Sequence, residues 1–238
     1  MSASGSSAYY WKGVRDGAPF VLVAGPFGML FGVLATEAGL NLVETMTLTA
    51  TVFAGAAQFT ALQLMQADTP TIIVLASALA VNLRMAMYSA SLTPYLGKAR
   101  LWQRVLVAYM MVDQAYACSY VRYESEPEMT LPERIGYYFG AVTPVTIFWY
   151  CCTLTGALLG TRIPEGLALD FALPIAFLGM VTPMLRTLAH VAAAGVAVLV
   201  ALLCAGLPYN TGLIVAGLAG MMAGARVELW LRRKGQWV

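Results

Sequence analysis

Charge is what this sequence has least of. Only 11% of its 238 residues are Asp, Glu, Lys or Arg, against roughly 25% in an ordinary soluble domain, so water is not the main solvent of its surface. Histidine is nearly absent: His190 stands alone, which excludes metal sites and proton relays built from several histidines. No phosphate loop, GxSxG elbow, HExxH, zinc-ligand cluster or dinucleotide fingerprint occurs. The chain therefore carries no signature of an ATPase, a hydrolase or a flavin or nicotinamide enzyme, and none of a bound cofactor. A recognisable nucleophile and base arrangement is missing too, which points away from an enzyme. The four cysteines, Cys118, Cys151, Cys152 and Cys204, lack CxxC spacing and include a vicinal pair badly placed for an ordinary bridge, so they read as packing residues. A net charge of +2 is too small to attract nucleic acid.

What is abundant is apolar surface, at 60% of residues. It is distributed in eight segments: Gly17 to Thr36, Thr45 to Met65, Pro70 to Tyr95, Leu101 to Tyr120, Ile135 to Gly160, Ala168 to Leu185, Thr187 to Leu207 and Thr211 to Leu231. Most approach the 20 or so residues a helix needs to cross the hydrocarbon core, so lipid is the partner of nearly the whole chain. The expected fold is an all-α polytopic membrane bundle of about 6–8 transmembrane segments, forming one transporter domain over 1–238. Pro19 and Pro26 predict a kink in segment one, and FAGAAQF at Phe53 to Phe59 predicts a break in segment two. Small-residue pairs, Gly28 with Gly32, Gly156 with Gly160 and Gly220 with Gly224, predict close helix packing. The start, through Tyr9-Tyr10-Trp11-Lys12 to Arg15, reads as an interfacial anchor ahead of a retained first span rather than a cleavable leader.

Basic residues collect in cytoplasmic loops, and eight full crossings would put Lys98, Arg100 and Arg104 outside. If segments two and six dip in and return, every basic cluster and both termini fall on the cytoplasmic side. The loop from Arg122 to Arg134, with Glu124, Glu126, Glu128 and Glu133, then falls outside. That assignment divides the chain into inverted repeats, 17–121 and 135–231, as in many secondary transporters. The motif FLG at Phe177 to Gly179 faces FAG at Phe53 to Gly55 in this alignment of halves.

The informative polar residues lie inside apolar segments. Arg84 at membrane depth costs about 2.5 to 3.5 kcal/mol on insertion scales and must be compensated. Its planar fork of donors suits a substrate carboxylate, with Asn82 adding amide contacts; the alternative is a structural ion pair with Asp113 or a cap on broken-helix carbonyls. Asp113 can receive a substrate ammonium, carry a coupling proton, or simply pair with Arg84. On a helix, Tyr88 follows Arg84 by one turn and Met85 follows Asn82 by three residues, so polar and apolar contacts share adjacent strips. Gln58, flanked by Thr49, Thr60 and Gln63, is placed to hydrogen-bond a substrate from the broken segment two or to tie neighbouring helices together.

Read together, PFGMLFG at Pro26 to Gly32, FAGAAQF, VNLRMAMYSASLTPYL at Val81 to Leu96, VDQAYA at Val112 to Ala117 and FALPIAFLGM at Phe171 to Met180 resemble the AzlC family. The resemblance extends over effectively the whole chain. It implies the large subunit of a branched-chain amino-acid exporter of the cell inner membrane, working beside a small membrane protein of the AzlD type. The chain departs from the family pattern at Met85, where histidine is common, and at Gln114, where an acidic residue is usual. Asp113 is then the titratable group left in that region. A zwitterionic amino acid with an aliphatic side chain needs a cation, an anion or carbonyls, and an apolar wall; Arg84, Asp113 and Phe53 can supply them.

Overall fold

The computed structural model describes residues 3–161, 185, 187–206 and 211–235. Regular structure among them is entirely helical, as bilayer physics requires of a chain that must satisfy every backbone polar group internally. The chain divides into two compact units, Met1–Leu62 with Val81–Leu167, and Gln63–Ala80 with Ala168–Val238.

The first unit is built on two long helical stretches. Helix α1 (Ala3–Gly17) passes through a 3-10 turn at Ala18–Phe20, seeded by Pro19, into α2 (Val21–Glu37), which carries Pro26 inside it. The residues expected to form an interfacial anchor are thus the first turns of this long helix. Between α2 and α8 (Leu131–Gly160) lie α3 (Leu42–Thr51), α4 (Gly55–Gln66), α5 (Thr71–Leu96), α6 (Leu101–Tyr109) and α7 (Asp113–Ser125). Helix α8 starts where Thr130 and Glu133 form a reciprocal capping box and Pro132 fills the first turn. This gives Glu133, in the glutamate-rich stretch, a local structural role.

Glycine seams hold α1 and α2 against α8. A β-carbon on Gly13 would overlap the carbonyl of Tyr137, one on Gly32 that of Thr153, and one on Gly156 that of Met29. Backbones this close gain dispersion and weak CH···O contacts that larger residues forbid. At one end Ser6 donates to the Pro132 carbonyl at 3.1 Å, and at the other Thr36 donates to the Ala157 carbonyl at 3.2 Å. Low numbers meet low numbers, so the first span and α8 run parallel.

The strand of chain between them folds back twice. Along α5, Arg84 meets Asp113, Tyr88 stacks on Tyr116 and Tyr95 lies against Tyr123, so α5 and α7 run side by side in one direction. Tyr123 donates to the Arg134 carbonyl at 2.7 Å, which fixes that direction as toward the end where α8 begins. Segment four therefore leaves α5 at this end, rises as α6, turns at residues 110–112 and returns as α7. It is a re-entrant hairpin, not a crossing. Segment two behaves likewise from the opposite end. The chain leaves α2 beside the α8 C-terminus and must enter α5 from that same end, and it breaks between α3 and α4 at Val52 to Ala54, inside FAGAAQF. The two tips touch: Tyr109, the last residue of α6, donates its hydroxyl to the Ala50 carbonyl in the last turn of α3.

This corrects the expected topology in one respect. The sequence reading makes segment four a crossing, which turns α8 opposite to the first span and puts the glutamate loop across the membrane from the N-terminus. Instead Lys12 lies 3.9 Å from Glu126 and Tyr9 bonds the same carboxylate at 2.8 Å, so the two share one end. The physical cause is the chain break before Asp113, which halves a segment that hydropathy reads as whole.

In the second unit, α9 (Leu188–Leu203) packs on α10 (Gly212–Arg233) through Gly220 and Gly224, which lie against Ala193 and Ala197, as their spacing predicts. Four stretches among the described residues, Gly5–Glu37, Thr71–Leu96, Leu131–Gly160 and Gly212–Arg233, are long and apolar enough to cross a membrane; Leu188–Leu203 is apolar but shorter. Segment six, with its FLG motif, and Arg162 and Arg186 lie outside the described residues. All four cysteines are free.

Candidate functional site

Arg84 lies 13 residues from Thr71 and 12 from Leu96, the ends of α5, so it sits about 18–20 Å from either end of that helix. No water reaches such a depth in lipid alone, and compensation must come from within. It comes from Asp113: Arg84 Nη1 is 3.0 Å from Asp113 Oδ2, with the two side chains 22% and 36% exposed. Asp113 is the first residue of α7, where the unpaired N–H groups of a helix start favour a negative charge. The chain break is therefore what makes this position suitable for a carboxylate at depth.

The pair is incomplete. Arg84 Nε, a donor, and Asp113 Oδ1, an acceptor, are both buried and have no hydrogen-bond partner. A fully structural Arg–carboxylate lock uses both oxygens and two nitrogens in a fork. This one leaves Arg84 Nε and Asp113 Oδ1 without a partner, while the Tyr88 side chain also interacts with the Asp113 carboxylate. Tyr88 lies within electrostatic reach of both charges and its ring stacks on Tyr116 at 4.2 Å, forming an aromatic wall beside the pair. Asn82 and Met85, half-buried on α5, make no side-chain hydrogen bond among the described residues.

Gln58 and Phe53 belong to the other tip. Gln58 is fully buried. Its amide nitrogen donates to Thr49 Oγ1 at 3.2 Å and to the Val52 carbonyl in the break, while Trp149 Nε1 donates to Thr49 at 2.8 Å. The amide thus bridges α4 to the frayed end of α3, joining the Ala54 N–H on the Val52 carbonyl. Phe53 stacks on Tyr150 at 5.7 Å and tilts against Tyr109 at 6.3 Å. Of the residues singled out from sequence, Arg84, Asp113 and Tyr88 are brought together by the second hairpin, and Gln58 and Phe53 are held in the first.

A third cluster was not anticipated. Arg122 reaches Asp16 at 2.8 Å and Glu126 at 2.7 Å, and its guanidinium lies over the Tyr137 ring, with Tyr137 donating to Asp16 at 2.6 Å. The Tyr9 hydroxyl, then Arg122, hold the Glu126 carboxyl below its usual range, and the hydrogen bond to Asp16 leads in pushing Arg122 up. Arg122 with Glu126 at i,i+4 was visible in the sequence; Asp16 was not, because α1 had no helix assigned to it.

Comparison with known proteins gives a consistent picture. The AzlC protein family matches residues 19–163. The chain is 26% identical to the inner membrane protein YgaZ of Escherichia coli (strain K12), over 72% of this chain and 71% of that protein. It is 30% identical to an uncharacterized membrane protein of Archaeoglobus fulgidus, over 92% of this chain and 96% of that one. No solved structure matches.

Proposed function

The chain belongs to the AzlC family, and from that premise we propose that it exports branched-chain or other hydrophobic amino acids across the cell inner membrane, driven by an ion gradient, as the large subunit beside a small AzlD-type protein. The observation that carries this reading is the incompletely hydrogen-bonded Arg84–Asp113 pair at mid-depth of α5, at the tip of a re-entrant hairpin. An amino-acid zwitterion offers a carboxylate for the guanidinium and an ammonium for the carboxylate, so it can exchange with the pair without leaving a buried charge alone. Tyr88 and Tyr116 provide apolar surface beside it, and Asn82 lies one strip away on the same helix. Opposed hairpins meeting at depth are an arrangement on which alternating access can act. The N-terminal and Lys98 to Arg104 basic residues favour a cytoplasmic location for the end that also carries the glutamate loop.

The test is counterflow in proteoliposomes holding the chain and its small partner. Leucine, isoleucine and valine are expected to exchange ahead of polar amino acids and other metabolites. A panel in which only a different metabolite class exchanges replaces the substrate assignment. One observation favours a second reading, a helix lock in a non-transporting subunit: the pair is already closed at 3.0 Å. The swap Arg84→Asp with Asp113→Arg separates them. A restored fold without flux supports a binding site, whereas full recovery of both supports a lock.

A further inference from the structure

A cavity of about 470 Å³ lies between α5 and α6, walled by Leu92, Leu96, Val105, Ala108 and Met111, with Arg104 toward its outer end. From Leu101 to Tyr109 the α6 wall rises about 12 Å, and the turn at Met110 and Met111 closes it near half the thickness of the hydrocarbon core. Lys98, Arg100 and Arg104 are exposed at this end and form no salt bridge among the described residues. Three of the neighbouring acidic groups are engaged elsewhere: Glu124 with Tyr95, Glu126 with Arg122 and Glu133 with Thr130. An apolar slot one leaflet deep, with unpaired cations at its mouth, is complementary to one kind of occupant.

We propose that this groove binds an anionic phospholipid, with its phosphate at Arg104 and an acyl chain along α5 and α6. A long basic side chain can lay its stem on the groove wall and hold its charge at headgroup level. The chain end reaches Met111, two residues before Asp113, so the bound lipid braces the hairpin that carries the charge pair.

The test titrates the full-length chain in detergent micelles with dioleoyl phosphatidylglycerol or dioleoyl phosphatidylcholine and follows the thermal unfolding midpoint. The anionic lipid is expected to raise the midpoint at a concentration about tenfold lower than the zwitterionic lipid needs. Arg104→Gln should erase the preference, Arg104→Lys should keep it, and Ala108→Phe, on the open wall of the groove, should remove the saturable shift for both lipids. Equal potency of the two lipids in the wild type overturns the site, as does an Ala108→Phe chain that responds like the wild type. A comparable shift with glycerol phosphate, which has the anion and no chains, also overturns it. So does a shift produced by leucine in place of lipid, which would make the groove a substrate vestibule.

Discussion

The two hairpin tips solve the same problem in opposite ways. Each interrupts a helix within the bilayer, which strands backbone carbonyls and N–H groups where water is absent. At the tip of segment two, the Gln58 amide, the Thr49 hydroxyl and the Trp149 indole bond one another and the Val52 carbonyl, and all three side chains are buried. At the tip of segment four, the interruption is occupied by opposite charges that leave a donor and an acceptor unused. A neutral, fully engaged tip is built to stay as it is. A charged tip with unpartnered atoms has capacity left for a ligand, and under the proposed function that difference, rather than depth or polarity alone, would separate scaffold from site.

The strongest way to break this contrast is to remove the charge from the second tip. Arg84→Gln should reduce exchange of hydrophobic amino acids by about 100-fold or more while the chain still folds; flux within a few-fold of wild type would move the site elsewhere. Gln58→Leu should act on the other quantity. It removes the amide that ties Thr49 to the Val52 carbonyl and leaves the buried Thr49 hydroxyl without its acceptor, so it should lower stability by about 1–3 kcal/mol, seen as a lower unfolding midpoint in detergent, with substrate preference unchanged. A changed preference would make the first tip part of the site as well. Tyr109→Phe, which cuts the bond between the tips to the Ala50 carbonyl, should cost about 1 kcal/mol; the same assay reads it, and no change would show that the tips do not lean on each other.

The smallest effect concerns the clamp at the base of segment four. Because the Glu126 carboxyl is held below its usual range by Tyr9 and then Arg122, its contribution is present above the ordinary carboxylate range and is lost as pH falls through its depressed value. The unfolding midpoint of the wild type should therefore drop on acidification more than that of Glu126→Gln, and parallel curves would remove Glu126 from the clamp. Topology gives a separate check. In a cysteine-free background, Lys98→Cys and Glu128→Cys should be labelled by an impermeant reagent from the same face, and labelling from opposite faces would turn segment four back into a crossing.

Much of the architecture was readable from residue pattern. Segments three, five, seven and eight each correspond to one helix within a few residues, the glycine pairs mark real seams, and FAGAAQF marks a real break. The partnership of Arg84 with Asp113 followed from the cost of an isolated charge in lipid, although whether it was a lock or a site could not be read from spacing. The break before Asp113 was missed because Met110, Met111 and Val112 contain neither Gly nor Pro and keep hydropathy continuous. The one local sign was the acid itself, since a carboxylate is favoured in the first turn of a helix. Missing that break carried an error through the topology, because one miscounted crossing inverts every orientation after it. The roles of Gln58, Trp149 and Asp16 depend on residues far away in the chain and have no periodic signature.

The charge pair also sets what the carrier can feel electrically. Arg84 and Asp113 sum to zero, and so does a zwitterion that replaces their mutual contact. Displacing the loaded or the empty pair through the membrane potential therefore does no net work, although one unpaired charge would exchange about 2.3 kcal/mol per 100 mV. Under the proposed ion-coupled export of a zwitterion, any voltage dependence would belong to the coupling ion alone, and its size would count the ions moved per cycle.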